Sequence, residues 1–150
     1  MKKKYIIILI VSTLWITVPI ICDVTIMIAN NCVALRVKHD IEEIPLPPKT
    51  EQIESLSSAR KLIGNGNGMQ YFGAVLLQSE LSFEELDTYY SKYRKAEWYY
   101  AVEKQTSKTI SETNNQLSFK TDINGDNYYI VYSWGGTKYK FLYEWDIRGH

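Results

Sequence analysis

Residues 69–86 read MQYFGAVLLQSELSFEEL, and this stretch decides the fold class. From Met69 to Gln78, apolar side chains occupy both alternating faces, which is typical of a central strand buried on both sides. Ser82 then fits a helix N-cap, and Glu85 three residues later completes a capping box. The stretch therefore predicts a buried strand that leads directly into a helix.

Further segments on either side carry the alternation of strands. They are Glu51–Ile63, Glu97–Gln105, Leu117–Ile123, Tyr128–Trp134 and Lys138–Ile147. Asn124-Gly125 is a strong hairpin signal, whereas residues 106–116 lack a period and are predicted as a loop. The predicted order is β-β-α-β-β-β-β. We therefore expect an α+β domain, a mostly antiparallel sheet of about six strands with one helix packed on one face.

An apolar run near the N-terminus predicts a transmembrane helix. Lys2, Lys3 and Lys4 precede the run Tyr5–Cys22, which as a helix would rise roughly 27 Å, close to the ~30 Å hydrocarbon core of a bilayer. A second apolar patch, Val24–Ala29, lets the segment extend or tilt.

Three interpretations of this segment compete. A cleaved signal peptide needs small residues at positions −3 and −1 of the cut, and the end of the run offers none. A lipoprotein needs a small residue before the modified cysteine, but Ile21 precedes Cys22 and Asn31 precedes Cys32. An uncleaved signal anchor fits best, and the three lysines favour a cytoplasmic N-terminus.

The chain is accordingly divided into three parts. Residues 1–31 are predicted as a lysine-rich cytoplasmic head and transmembrane anchor, with lipid contacts through residues 5–29. Residues 32–48 form a juxtamembrane segment and a proline-rich spacer, because the IPLPP of residues 44–48 cannot be helical. Residues 49–150 are the expected extracytoplasmic α+β domain.

Charge and composition exclude several classes of protein. The chain has 17 basic and 17 acidic residues, so the positive charge of a nucleic-acid-binding protein is missing. Its two cysteines, Cys22 and Cys32, lie outside the predicted domain and provide no disulfide framework. The 12 tyrosines and 13% aromatic content are explained by a small core that buries rings and leaves hydroxyls at the rim.

The motifs that could bind a ligand or carry out catalysis are weak. The GNGNG of residues 64–68 resembles a phosphate loop, but a strand follows it instead of a helix. The DINGD of residues 122–126 lacks the later glycine and glutamate of an EF-hand. The only histidines are His39 and His150, so no nucleophile–base pair is recognisable. We expect no catalytic, metal or cofactor residues.

A surface near the glycine loop is the expected place of partner or ligand contact. Its candidate residues are Asn65, Asn67, Tyr71, Trp134 and Trp145. Mobile loops and exposed aromatic rings are frequent in binding sites. An exposed, concave cluster of these rings would indicate small-ligand or glycan binding.

Two sets of motifs carry a resemblance to known proteins. The SELSFEEL of residues 79–86, with Tyr89-Tyr90 and Glu97-Trp98, resembles a strand–helix–strand module of small bacterial envelope proteins. The LPP of residues 46–48, the GNGNGMQYFG of residues 64–73 and the final DIRGH resemble an uncharacterised family of N-terminally anchored proteins of Gram-positive bacteria. The resemblance implies an anchored envelope protein and no known catalytic residue.

The sequence thus favours a single-pass membrane protein of the cell envelope, with a non-catalytic binding or assembly domain. One alternative is a hydrolase that uses carboxylates, with Glu97, Glu103, Glu144 and Asp146 as candidates. The other is an accessory subunit whose anchor helix packs against another membrane protein. The expected partners are the bilayer and an envelope or membrane protein, and no nucleic acid.

Overall fold

The computed structural model describes residues 2–93, 99–137 and 145–150. Its helices are α1 (Lys2–Glu42) and α2 (Phe83–Ser91). Its strands are β1 (Thr50–Arg60), β2 (Gln70–Ser79), β3 (Ala101–Lys104), β4 (Thr109–Ile110), β5 (Leu117–Ser118) and β6 (Tyr128–Gly135). Short 3-10 turns cover Ser111–Thr113 and Ile147–Gly149.

The α+β prediction is confirmed. The main sheet has the strand order β1-β2-β6-β3, with antiparallel neighbours throughout, and β4 pairs with β5 in a second small sheet. β2 is a central strand buried on both faces, as its apolar alternation predicts. The element order from residue 50 to residue 135 is β-β-α-β-β-β-β.

The start of α2 follows the predicted capping box. The Glu85 amide donates to Ser82 Oγ at 3.3 Å, and the Ser82 amide donates to Glu85 Oε2 at 2.8 Å. Hydrogen bonds from the Ser82 amide and side chain to the carboxylate lower the pKa of Glu85, because they favour its charged form. α2 then buries Leu86 and Tyr90.

α1 is one continuous helix with two different environments. Residues 3–25 are exposed along their whole length, although most are apolar. From residue 26 onward the helix lies against the sheet, and Ala34, Val37 and Ile41 are buried. The residues predicted as a juxtamembrane segment therefore supply part of the core of the domain.

Both faces of the sheet are covered. One face, with Val75 and Leu77 of β2, packs against the second half of α1 and against α2. The opposite face, with Phe72 and Leu76, packs against side chains that include Ile110 and Phe119 from the β4–β5 region. The sheet therefore lies between two covering layers, and the two helices form the layer on one side.

The proline segment, residues 44–48, is irregular in structure and is held against the domain. Pro47 is buried, and the Tyr89 hydroxyl donates to the Pro45 carbonyl oxygen at 2.8 Å. The expected boundary after residue 48 thus does not coincide with a break in the packing, since Ile41 and Ile44 before it belong to the core.

The predicted hairpin at Asn124-Gly125 is wrong. The strand predicted over residues 117–123 ends at Ser118 and pairs with Thr109–Ile110, which was predicted as loop. The physical reason is Glu54, whose carboxylate accepts the amides of Lys120 and Thr121 at 2.9–3.0 Å and takes them out of any strand pairing.

The remaining predicted strands are only partly described. The strand expected over Glu97–Gln105 begins at Ala101, and Glu97 lies outside the described residues. Of the strand expected over Lys138–Ile147, residues 138–144 also lie outside them. Its end is not a strand, because the Asp146 side chain caps the 3-10 turn that begins at Ile147.

Candidate functional site

A buried polar network joins α1 to the sheet where the exposed half of the helix ends. Here the end of β1, the start of β2 and the turn at residues 146–150 meet, and we call this region the proximal end. The Tyr71 hydroxyl donates to Asn30 Oδ1 at 2.8 Å, and Asn30 Nδ2 donates to Asp146 Oδ2 at 2.9 Å. Asn30 is fully buried, so its amide is satisfied by partners that are far apart in the sequence.

Arg148 extends this network onto the surface of α1. Its guanidinium donates to both Asp146 oxygens, at 2.6 Å from Nη2 to Oδ2 and 2.9 Å from Nε to Oδ1. Nη1 donates to Asn31 Oδ1 at 2.9 Å, and Nη2 also donates to the Met27 carbonyl oxygen at 3.2 Å. The last turn of the chain is therefore fixed to the helix by Arg148 as well as by Asp146.

The charge of Asp146 is stabilised by these donors. Its side chain is fully buried, and burial alone would favour the protonated carboxyl group. The hydrogen bonds from Arg148 and Asn30 outweigh that effect and lower the pKa of Asp146. The same pairing raises the pKa of Arg148.

The backbone also holds the terminal turn in place. The Lys61 amide donates to the Arg148 carbonyl oxygen and the Gly68 amide to the Gly149 carbonyl oxygen, both at 2.8 Å. A Cβ on Gly149 would lie 2.9 Å from Met69 Sδ and 3.1 Å from the Met69 amide nitrogen. A Cβ here would crowd Met69, which favours glycine at this position.

A basic cavity of about 460 Å³ opens beside this turn. It is lined by Arg60, Lys61, Leu62, Gly64, Asn114, Gln116, Arg148 and His150. The Asn114 and Gln116 side-chain amides both donate to the Leu62 carbonyl oxygen, at 3.3 and 2.8 Å, which fixes one wall. Among the described residues, no acidic side chain lines the cavity, and Arg60 and Lys61 give it positive charge that can attract an anion.

Two large apolar side chains are exposed at the proximal end. Trp145 is 64% exposed and Ile147 is 72% exposed. They flank Asp146, whose bonds to Asn30 and Arg148 hold this part of the chain beside α1. Apolar surface is thus exposed both on α1 and on the proximal end of the domain.

A pair of glutamates lies at the β3 edge of the sheet. Burial and the neighbouring Glu112 raise the pKa of Glu103, although the Tyr132 hydroxyl donates to Glu103 Oε1 at 2.7 Å. Burial opposes ionisation of Glu112, but its pKa is lowered by Glu103 and by the Ser111 hydroxyl, which donates to Glu112 Oε1 at 2.7 Å. Two neighbouring carboxyl groups whose pKa values are shifted in opposite directions are an arrangement used in acid–base chemistry.

Neither of these carboxyl groups lines any of three cavities formed by the described residues. The three are the basic cavity, the polar cavity of about 410 Å³ at the opposite end of the sheet, and the apolar groove beside α2. Of the other carboxylates considered for hydrolysis, Asp146 is engaged by Arg148, and Glu97 and Glu144 lie outside the described residues.

The five residues expected to contact a partner occupy different environments. Asn65 and Asn67 are exposed in the glycine loop, and Trp145 is exposed in the terminal turn. Tyr71 is only 3% exposed and uses its hydroxyl to bind Asn30. Trp134 packs on Phe72 on the opposite face, with ring centroids 4.8 Å apart. These rings therefore do not form one exposed aromatic cluster.

The sequence analysis did not identify Asn30, Arg60, Lys61 or Arg148 as site residues. One signal was present for Asn30, since two adjacent amides interrupt an apolar helix just beyond its second apolar patch. Within residues 2–93, 99–137 and 145–150, no three His, Cys, Asp or Glu side chains are grouped to hold a metal ion. No family model, curated protein or solved structure matches the chain.

Proposed function

We propose that the protein is a single-pass membrane protein that holds a small, non-catalytic binding or assembly domain at the outer surface of the cell membrane. The observation that carries this proposal is the division of α1 into two environments. Residues 3–25 are exposed and mostly apolar, and as helix they rise about 34 Å, enough to cross the ~30 Å hydrocarbon core. The helix then enters the core of the domain without a break.

Three hydroxyl side chains within the exposed helix bond to the helix itself. The hydroxyls of Ser12, Thr13 and Thr25 donate to backbone carbonyl oxygens four residues earlier, at 2.7–2.8 Å. Such internal bonds satisfy polar groups in lipid. This favours an anchor surrounded by lipid over the alternative of an accessory subunit that packs its helix against another membrane protein.

The lysines at positions 2–4 support a cytoplasmic N-terminus, because basic residues are retained on that side. The domain then lies outside, in agreement with the resemblance to anchored proteins of Gram-positive bacteria. Since the helix and the domain share a core, the domain would be presented in a set orientation to the membrane. A partner in the envelope would meet its exposed loops, including Asn65 and Asn67.

Labelling of single cysteines tests the proposal. Cys22 and Cys32 are both exposed on α1, so differences in their labelling come from the membrane and not from the fold. In intact cells, a membrane-impermeant maleimide should label Cys32 of the Cys22→Ser variant. Leu14→Cys, placed in a chain that lacks both native cysteines, should be labelled only after the membrane is dissolved in detergent.

Two results would contradict the proposal. Equal labelling of Leu14→Cys and Cys32 in intact cells would mean that the apolar helix is not in lipid. Labelling of Cys32 only after permeabilisation would mean that the domain faces the cytoplasm.

A further inference from the structure

We infer that the basic cavity at the proximal end binds the phosphate group of an anionic lipid headgroup. The inference rests on the proposed membrane anchor and adds a lipid ligand to it. Its basis is the height of the cavity above the bilayer, its charge and the apolar side chains beside it.

The position of the cavity matches the headgroup layer. Arg148, part of its lining, binds the Met27 carbonyl oxygen and Asn31 Oδ1. These residues lie two to six positions beyond Thr25, the last of the continuously exposed residues, and so about 3–9 Å further along the helix axis. The polar layer of one leaflet is roughly 5–7 Å thick, so the cavity opens at the level of the phosphates.

The charge of the cavity suits a phosphate. Arg148 is neutralised by Asp146, which leaves Arg60 and Lys61 as the cations. In the described part of the chain, no carboxylate pairs with either of them. An arginine fork beside a lysine is a frequent phosphate-binding combination. Residues 45–150 have 12 basic and 13 acidic side chains, so attraction to an anionic surface would be local.

The neighbouring surface suits the membrane interface. Trp145 and Ile147 are 64% and 72% exposed and flank the buried Asp146. Tryptophan is enriched at the headgroup level, where its ring meets acyl chains and its N–H meets water. A headgroup in the cavity would therefore bring its own acyl chains toward an apolar surface.

Lipid titration of the full-length protein in detergent, followed by native mass spectrometry, tests the inference. The probes are short-chain phosphatidylglycerol and phosphatidylcholine. Phosphatidylglycerol should bind at least about tenfold more tightly, given about 1 kcal/mol for each basic residue near an anionic lipid. Arg60→Gln with Lys61→Gln should abolish this preference.

The matched control removes the same charge from the opposite end of the sheet. Lys49 adjoins Thr50, which pairs with Ser79, and Lys104 pairs with Tyr129, so both are remote from the cavity. Lys49→Gln with Lys104→Gln should retain the preference. Equal losses in the two double variants, or no loss in either, would overturn the inference.

Two additional measurements distinguish a lipid ligand from a soluble phosphate and failure of the anchor from failure of the cavity. Inorganic phosphate should not displace the lipid, and displacement at concentrations comparable to the lipid would overturn the lipid assignment in favour of a soluble phosphate ligand. Resistance of the chain to extraction from membranes by alkaline carbonate reports on the anchor alone. It should be the same in both double variants, so failure of the anchor is distinguishable from failure of the cavity.

Discussion

At the scale of single residues, the buried carboxylate of Asp146 connects three parts of the protein. It receives hydrogen bonds from Asn30 of α1 and from Arg148, while Tyr71 of β2 binds the other end of the same asparagine. A buried ion pair is weak evidence of stability in itself, but removal of one partner is costly because the other is left uncompensated. This residue therefore controls how the terminal turn is attached.

Asp146→Asn should destabilise the fold by about 2–3 kcal/mol at neutral pH, because it removes charged hydrogen bonds to Arg148. The pKa of Asp146 is lowered in the folded protein, so its stabilising effect is complete above the pKa of the unfolded chain. It is lost as the pH falls through the folded pKa. Denaturation at several pH values should show the difference between wild type and variant shrinking below about pH 4. The control is Asp126→Asn. Asp126 pairs with Lys104, but its side chain is 96% exposed, so this variant should change stability little.

Gly73 is required by the close packing of α1 on β2. A Cβ at this position would lie 2.5 Å from the Lys38 amide nitrogen and 2.8 Å from the Val37 carbonyl carbon, both backbone atoms. Gly73→Ala should therefore cost about 1–3 kcal/mol through overpacking, measured by thermal unfolding in detergent. Gly66→Ala has no atom within 4 Å of its new Cβ and should be nearly neutral. Equal stabilities of the two variants would contradict the observed helix–strand contact.

At the scale of elements, local signals predicted local structure. The capping box of α2 and the alternation of β2 and β6 needed only neighbouring residues, and all three elements are present. The predicted hairpin at Asn124-Gly125 is absent because a hairpin also depends on the contacts that its two strands make. Here Glu54 of β1 captures the amides of Lys120 and Thr121 from across the fold.

The packing of α1 was hidden by its composition. Asn30, Ala34, Val37, Ile41 and Ile44 are buried at spacings of four, three, four and three residues, the period of one helix face. Because an apolar run precedes it, the second half of α1 was interpreted as a continuation of the membrane anchor. The prolines after it suggested a spacer. The proximal site was equally hard to foresee, because its residues come from distant parts of the chain and only the fold brings them together.

Truncation of α1 tests the role of its second half. A chain that begins at Ile26 keeps the buried face and should fold with a cooperative unfolding transition. A chain that begins at Lys49 loses Val37, Ile41 and Ile44 from the core, at about 2 kcal/mol each. The combined loss of about 6 kcal/mol is comparable to the roughly 5–15 kcal/mol that stabilises a domain. The chain that begins at Lys49 should therefore lack a near-ultraviolet circular dichroism signal. Cooperative unfolding of this chain would contradict the observed packing of α1 on the sheet.

At the scale of the whole molecule, the exposed apolar segment and the domain share one helix. Rotation or tilt of the exposed half must be transmitted to the sheet, because residues 30–44 are packed against β2 and tied to the terminal turn. With the apolar half of α1 in a bilayer, as proposed, this continuity would hold the loops of the domain at a defined height above the membrane. A flexible tether would instead allow the domain to sample many orientations.

Hydrogen exchange of the full-length protein in lipid nanodiscs tests this continuity most directly. Amides that open only with global unfolding exchange far more slowly than those of a flexible linker. We expect the amides of residues 33–42 to exchange as slowly as those of β2, with no fast-exchanging break between residues 22 and 34. Fast exchange over residues 26–42, beside a protected β2, would contradict the account and indicate a domain on a flexible linker.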